Sequence, residues 1–284
     1  MYIRLTFVIF IFFAFLAHTF ADQPGTKILK ITNGIENVDN LDELIDDLLE
    51  KRIVYIGEVH DKLLHHEAQL EIIKSLYAKN NKIAIGMEMF QEDFQGVINR
   101  YLSGEISEEV FLKNTEYESR WGFDYKLYKP IVDFAKVNGI PLVALSINSD
   151  IIGKISDNGL INLDSADLNR LPESIDFTDS GYKSYLMDIF SEHPKNENSD
   201  FNKFYNIQVI WDESMADNID RFLSENNDRN IIVLAGQGHI VYSYGIPSRV
   251  HRRNKLDYTT ILNDSEHKKG ISDYVIYSKS GKFH

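Results

Sequence analysis

The sequence predicts an α/β fold, with a mainly parallel central sheet, helices on both faces and helical excursions over the strand ends. Three observations lead there. Short runs of β-forming apolar residues alternate along the chain with segments whose apolar residues fall at helical spacing, the pattern of repeated βαβ units. The runs are almost unbroken by charge, as in strands covered on both faces. Four of them pass directly into polar residues, the arrangement expected where the strands of an open parallel sheet end at a site.

Taken in order, Asn40 to Lys51 places Leu41, Leu44, Ile45, Leu48 and Leu49 on one helical face and precedes the buried strand Ile53-Val54-Tyr55-Ile56-Gly57. A helix over His65 to Tyr77, with Leu70, Ile72, Ile73 and Leu76 as its apolar set, leads to the strand Lys82 to Met87 and completes a βαβ unit. The pattern repeats twice. A helix around Lys129 to Val137 feeds a strand from Pro141 to Ser146, and a helix around Tyr205 to Leu223 feeds one from Asn230 to Ala235. Glu92 to Trp121 and Ser149 to Ser199 are long enough to be excursions over the sheet ends, with Lys195 to Asp200 as a loop. Tyr258 to Leu262 and Tyr274 to Tyr277 are rich in β-formers and extend the sheet.

With 43% apolar residues in 284, the chain has material for one sizeable core, and a single domain over 22–284 is expected. Residues 1–21 read as a signal peptide: Arg4 is followed by the apolar run Leu5 to Leu16 and by the small residues Thr19 and Ala21 before a cleavage point, an uncleaved anchor being the alternative. Export to the periplasm or cell envelope follows. The chain has no cysteine, so disulfides, a CxxCH haem attachment and a lipoprotein anchor do not arise. Loss of Arg4 takes the formal charge from −13 to −14, which repels phosphate backbones and sets nucleic acid aside.

The chemistry collects at the strand ends, in Gly57-Glu58-Val59-His60, Gly86-Met87-Glu88, Ser146-Ile147-Asn148 and Gly236-Gln237-Gly238-His239. In an open parallel sheet these segments converge although they lie about 180 residues apart. Glu58, His60, Glu88 and His239 offer acid, base and ligand chemistry, including that of zinc or iron; each taken alone is more commonly a hydrogen-bonded structural residue, and the coincidence of all four shifts the weight toward a site. His65-His66-Glu67 open a helix and read as partly solvated first-turn residues. Tyr242 and His239 are candidate axial ligands to a haem iron, and Arg249, Arg252 and Arg253 candidate partners for its propionates; packing and surface solvation account for the same residues. Tyr117, Trp121, Phe123, Tyr125 and Tyr128 form either an aromatic wall for a flat ligand or core. Asp212 and Glu213 read first as a solvated helical face, with reach to the strand ends as the alternative.

Five ordered motifs, Gly57-Glu58-Val59-His60, Met87-Glu88-Met89-Phe90, Leu145-Ser146-Ile147-Asn148, the Gln208 to Ala216 helix, and Ala235 to His239 followed by Gly245 to Val250, make residues 45–255 resemble the ChaN-like haem-binding proteins. The resemblance implies an α/β fold, haem or iron uptake at the bacterial cell envelope in company with a haem receptor or transporter, and a haem held between two subunits with tyrosine ligation. Carried onto this chain, it points to His239 and Tyr242, with His60, Glu58, Glu88 and Arg249 around them. Members are often lipoproteins, which a cysteine-free chain is not. By more distant resemblance to erythromycin esterases and Tiki-type proteases, the alternative is a Glu/His-dependent hydrolase, an esterase or peptidase, metal-assisted or not, using Glu58, His60, Glu88 and His239. A ligand-free structural envelope protein is the third reading.

Overall fold

The structure, a computed structural model, describes residues 27–31, 34–192, 200–266 and 268–277; the expected signal peptide and most of the expected 195–200 loop lie outside them. Eight strands form one sheet: β1 (Lys27–Lys30), β2 (Glu36–Val38), β3 (Ile53–Glu58), β4 (Ile83–Gln91), β5 (Leu142–Ser146), β6 (Asn230–Gly236), β7 (Tyr258–Asn263) and β8 (Tyr274–Tyr277). Their spatial order is β2-β1-β8-β7-β3-β6-β4-β5. β8, β7, β3, β6, β4 and β5 are mutually parallel, and only β1, against β2 and against β8, pairs antiparallel.

Alternate side chains of the central strands serve two cores, because successive Cβ atoms point to opposite faces. Val54, Ile56, Ile85, Met87, Ile232 and Leu234 pack beneath the helices Leu41–Leu49, Leu63–Lys79 and Lys129–Asn138. Ile53, Tyr55, Ile231, Val233 and Ala235 meet Met215, Ala216 and Ile219 of the long helix Phe201–Glu225 and Val250 of the helix Ile246–Asn254. Burial on both faces is what the unbroken apolar runs of these strands report. Local signals set the helix ends. The Asn40 side chain accepts from Glu43 N, and Asp200 accepts from Asn202 N and Lys203 N, each satisfying backbone donors that a helix start leaves unpaired.

The topology positions the site. From β3 the chain steps over one place to β4 and outward to β5, then returns to lay β6 between β3 and β4 before crossing to β7 on the far side of β3. Strand order therefore reverses around β3, β6 and β4, and their carboxyl ends stand side by side. The two excursions hold the helices Gln95–Leu102, Glu108–Asn114 and Tyr117–Arg120, and Ser149–Asn158, Ser165–Leu168 and Ser180–Glu192. β5 is an edge strand, and a side chain closes it: Gln95 Nε2 donates to the Leu142 carbonyl at 2.8 Å while its Oε1 accepts from Ala144 N at 2.8 Å, replacing one rung of a missing neighbour strand.

Candidate functional site

Glu58 is the last residue of β3 and is 1% exposed, so its carboxylate must be satisfied by protein. Oε1 accepts from the Tyr128 hydroxyl at 2.6 Å and from His60 Nδ1 at 2.8 Å; Oε2 accepts from Gln69 Nε2 at 2.8 Å and lies 3.4 Å from His66 Nδ1. Burial by itself would raise its pKa. The hydrogen bond from His60 and the positive charge of the two imidazoles outweigh it, helped by Tyr128, and hold the carboxyl at about 2. His65 and His66, expected to be partly solvated, are instead buried under this turn: His65 Nδ1 accepts from Val59 N at 2.9 Å, and His66 Nε2 donates to the His60 carbonyl at 3.0 Å. They fix the backbone that presents His60.

His60 stands between Trp121 and Phe123, with ring centroids at 4.8 and 4.9 Å. Its Nδ1 is taken by Glu58, which sets the tautomer and leaves Nε2 facing the end of β6. There Gly236 has no Cβ; one would lie 3.0 Å from His60 Nε2. Desolvation lowers the His60 pKa, but the hydrogen bond to Glu58 and the charges of Glu88 and Glu58 raise it above the ordinary value.

β4 extends past the expected end at Met87 as far as Gln91, and its register against β5 shifts between Met87 and Gln91. Glu88 lies in that irregularity, and its Oε2 accepts from Gly236 N at 2.6 Å. The same carboxylate sits 3.5 Å from His239 Nε2, whose Nδ1 donates to Asp212 Oδ1 at 2.7 Å. Tyr182 in turn donates to Asp212 Oδ2. Desolvation would lower the His239 pKa, and the charges of Glu88 and Asp212 raise it to about 9. Two imidazoles are thus each held at Nδ1 by a buried carboxylate, with the Nε2 of His239 beside Glu88 and that of His60 beside Gly236, whose amide donates to Glu88.

Around them is a cavity of about 240 Å³. Met89, Ile147, Ile152 and Trp211 make apolar wall, Trp121, Phe123 and Arg120 come from the first excursion, and Leu186 and Ile189 from the helix Ser180–Glu192. The structure brings together Glu58, His60, Glu88 and His239, as the strand-end argument predicts, and Ser146 with them. Asn148 is held away by Asp93. Of the aromatic stretch, Trp121 and Phe123 line the cavity, whereas Tyr117, Tyr125 and Tyr128 are core.

Other expected positions are placed differently. Tyr242 takes a positive φ of 55° and packs against Tyr185 and Tyr244, at 6.0 and 5.6 Å between ring centroids; it does not line the cavity with His239. Arg249 is buried at 2% exposure, with Nε 3.4 Å from Glu213 Oε1, and Arg252 and Arg253 close on Glu213 Oε2 at 2.9 and 2.7 Å. These guanidiniums compensate a buried carboxylate and do not line the cavity, so the structure places Arg249, Arg252 and Arg253 around Glu213. Asp212 and Glu213, first read as a solvated face, are fully buried. Among the described residues no three His, Asp or Glu side chains are placed to hold a metal ion, so the zinc alternative is not supported. Gln69, Tyr182 and Arg120 are parts of the site or its frame that the motif reading missed, and Asp212 takes the alternative of reaching the strand ends.

The family model described as haem-binding uptake, Tiki superfamily, ChaN, matches residues 44–250. The chain belongs to this family. Among solved structures it is similar to ChaN of Campylobacter jejuni, described by its cofacial haem binding, at a TM-score of 0.71 and 19% identity over 88% of this chain and 96% of that one. It is also similar to the type III effector HopBA1, at 0.51 and 17% identity over 84% and 93% of the two chains. An erythromycin esterase mutant in its open conformation aligns at 0.46 and 17% identity over 84% and 76%. No curated protein sequence matches the chain. The ChaN likeness bears out the α/β fold with its mainly parallel sheet, and the family match bears out the resemblance read from the five motifs.

Proposed function

We propose that the protein binds haem in the strand-end cavity and serves haem or iron uptake from an exported position at the cell envelope, where it would meet a haem receptor or transporter. Membership of a haem-binding family supports the ligand, and the apolar start of the sequence supports export. The observation that carries the reading is His60: no side chain among the described residues hydrogen-bonds its Nε2, its Nδ1 is fixed by a buried carboxylate, and the Trp121 and Phe123 rings flank it. An imidazole so oriented is a fit donor for an axial position of haem iron. His239 is the less open of the two, being held between Asp212 and Glu88.

When bound, haem would supply an iron centre that the His60 imidazole could ligate. The protein's own part is to hold His60 in one tautomer, present flat apolar walls and exclude water from the inner end. The cavity, at about 240 Å³, lies below the roughly 300–1,000 Å³ of pockets that bury a drug-sized ligand, so a porphyrin would project from it. A second copy covering the projecting part is the role we assign to a homodimer, in keeping with the cofacial haem binding of the Campylobacter jejuni ChaN.

The test is a haemin titration followed by visible absorption. Wild type is expected to give a saturable, shifted Soret band that His60→Ala alters and Tyr242→Phe leaves in place. No saturable shift in wild type, or an unchanged spectrum in His60→Ala, overturns the reading. Hydrolysis is a second reading with one observation in its favour, the two imidazole–carboxylate pairs, His60–Glu58 and His239–Asp212, that share the cavity with Glu88. It requires esterase or peptidase activity that His60→Ala abolishes.

A further inference from the structure

The arginines that the sequence offers to an anionic ligand are closed around Glu213, which leaves open how the cavity would recognise the acidic end of its ligand. Arg120 is the single Lys or Arg among the residues lining the cavity. It precedes Trp121, the ring packed on His60, so apolar wall and cation are adjacent in the chain. Its guanidinium is held in place before any ligand arrives: Nε donates to Glu116 Oε2 at 2.7 Å, NH1 to Ser149 Oγ at 2.6 Å and to Gln91 Oε1 at 3.1 Å, and the group lies 5.5 Å from the centroid of the Phe94 ring.

A guanidinium has five N–H donors, and here three are used at good distance. The NH2 end has one contact, to Asp150 Oδ2 at 3.4 Å, and the Asp150 side chain is 73% exposed. Glu116 and Asp150 offset the charge of Arg120, but both are more than half exposed, so solvent screens them and Asp150 can be displaced at little cost. We propose that Arg120 is the carboxylate-reading residue of this cavity: a planar apolar acid lies on the Trp121 side with its carboxylate on the NH2 end of Arg120. The inference rests on the haem reading and deepens it, since it selects porphyrins with free propionates over neutral ones.

Haemin and haemin dimethyl ester, in which the carboxylates are masked, are titrated separately into the purified full chain. Wild type should bind haemin about 10- to 100-fold more tightly than the diester, the range for one hydrogen-bonded charged group. Arg120→Gln should remove that preference while still binding the diester saturably, which shows that the cavity is intact. Asp150→Asn, a surface change, should tighten haemin and not the diester. Equal wild-type affinities, or a preference that survives in Arg120→Gln, overturn the assignment of Arg120 while haem binding stands. Failure of wild type to bind either porphyrin overturns the haem reading and this inference with it.

Discussion

Lowering the pH through the range in which Glu58 takes up a proton should destabilise the fold by an amount the site geometry sets. The carboxyl is held at about 2 against an ordinary 4.5, and the fully buried group has no water to share that shift. Between those values the unfolded chain binds the proton and the folded chain does not, so stability rises with pH. The contribution is complete above 4.5 and lost as the pH falls through 2. At about 1.4 kcal/mol per pKa unit it amounts to about 3 kcal/mol. Urea denaturation of wild type and Glu58→Gln at several pH values from 6 down to 2.5 isolates it, because surface carboxylates contribute equally to both proteins. The difference in unfolding free energy between the two should shrink by most of that 3 kcal/mol over the acid range. Parallel profiles would show that Tyr128, Gln69 and His60 do not hold the carboxylate in its charged form, and the derivation of the site's electrostatics would fail with them.

Glu213→Gln should cost about 3–5 kcal/mol, since it leaves Arg249 buried beside a neutral amide; a loss under 1 kcal/mol in urea denaturation would mean the three arginines are satisfied elsewhere. Gln95→Ala should cost about 1–2 kcal/mol by uncovering Ala144 N and the Leu142 carbonyl. It should also raise self-association through the exposed edge of β5, and unchanged light scattering on concentration would argue against the capping role.

What was legible in the sequence follows from the range of each interaction. The buried strands and the helices beside them announce themselves through local periodicity, and the glycine- and histidine-bearing endings of β3 and β6 converge because strand order reverses there, a consequence of topology alone. Asp212 was readable in principle: with Val209, Ala216 and Ile219 it falls on one helical face at spacings of three and four, so its burial follows from phase although its residue type argues for solvent. The identity of its partner does not follow, because His239 lies 27 residues on and across a sheet. Lys27–Lys30 and Glu36–Val38 were missed because strands of only four and three residues carry almost no pattern.

The placements of Tyr242 and Arg249 beyond the end of β6 share one cause. Tyr242 is three residues from His239, and nearness in sequence invites nearness in the site. Positive φ at Tyr242 and Ser243 instead turns the chain, and the Tyr242 amide is taken by the Ile271 carbonyl at 2.8 Å. Gly245 then passes so close to the His239 carbonyl that a Cβ would lie 2.3 Å from its oxygen, which fixes the return of the chain toward the arginines. Those arginines meet Glu213, a residue on another helix whose burial demands neutralisation before any ligand is considered. Local chemistry therefore names which groups an end of a strand can offer, and the demands of buried charges elsewhere decide which of them remain free. Arg120, reached from a different excursion, has an N–H end left over because its own carboxylate partners stay in water.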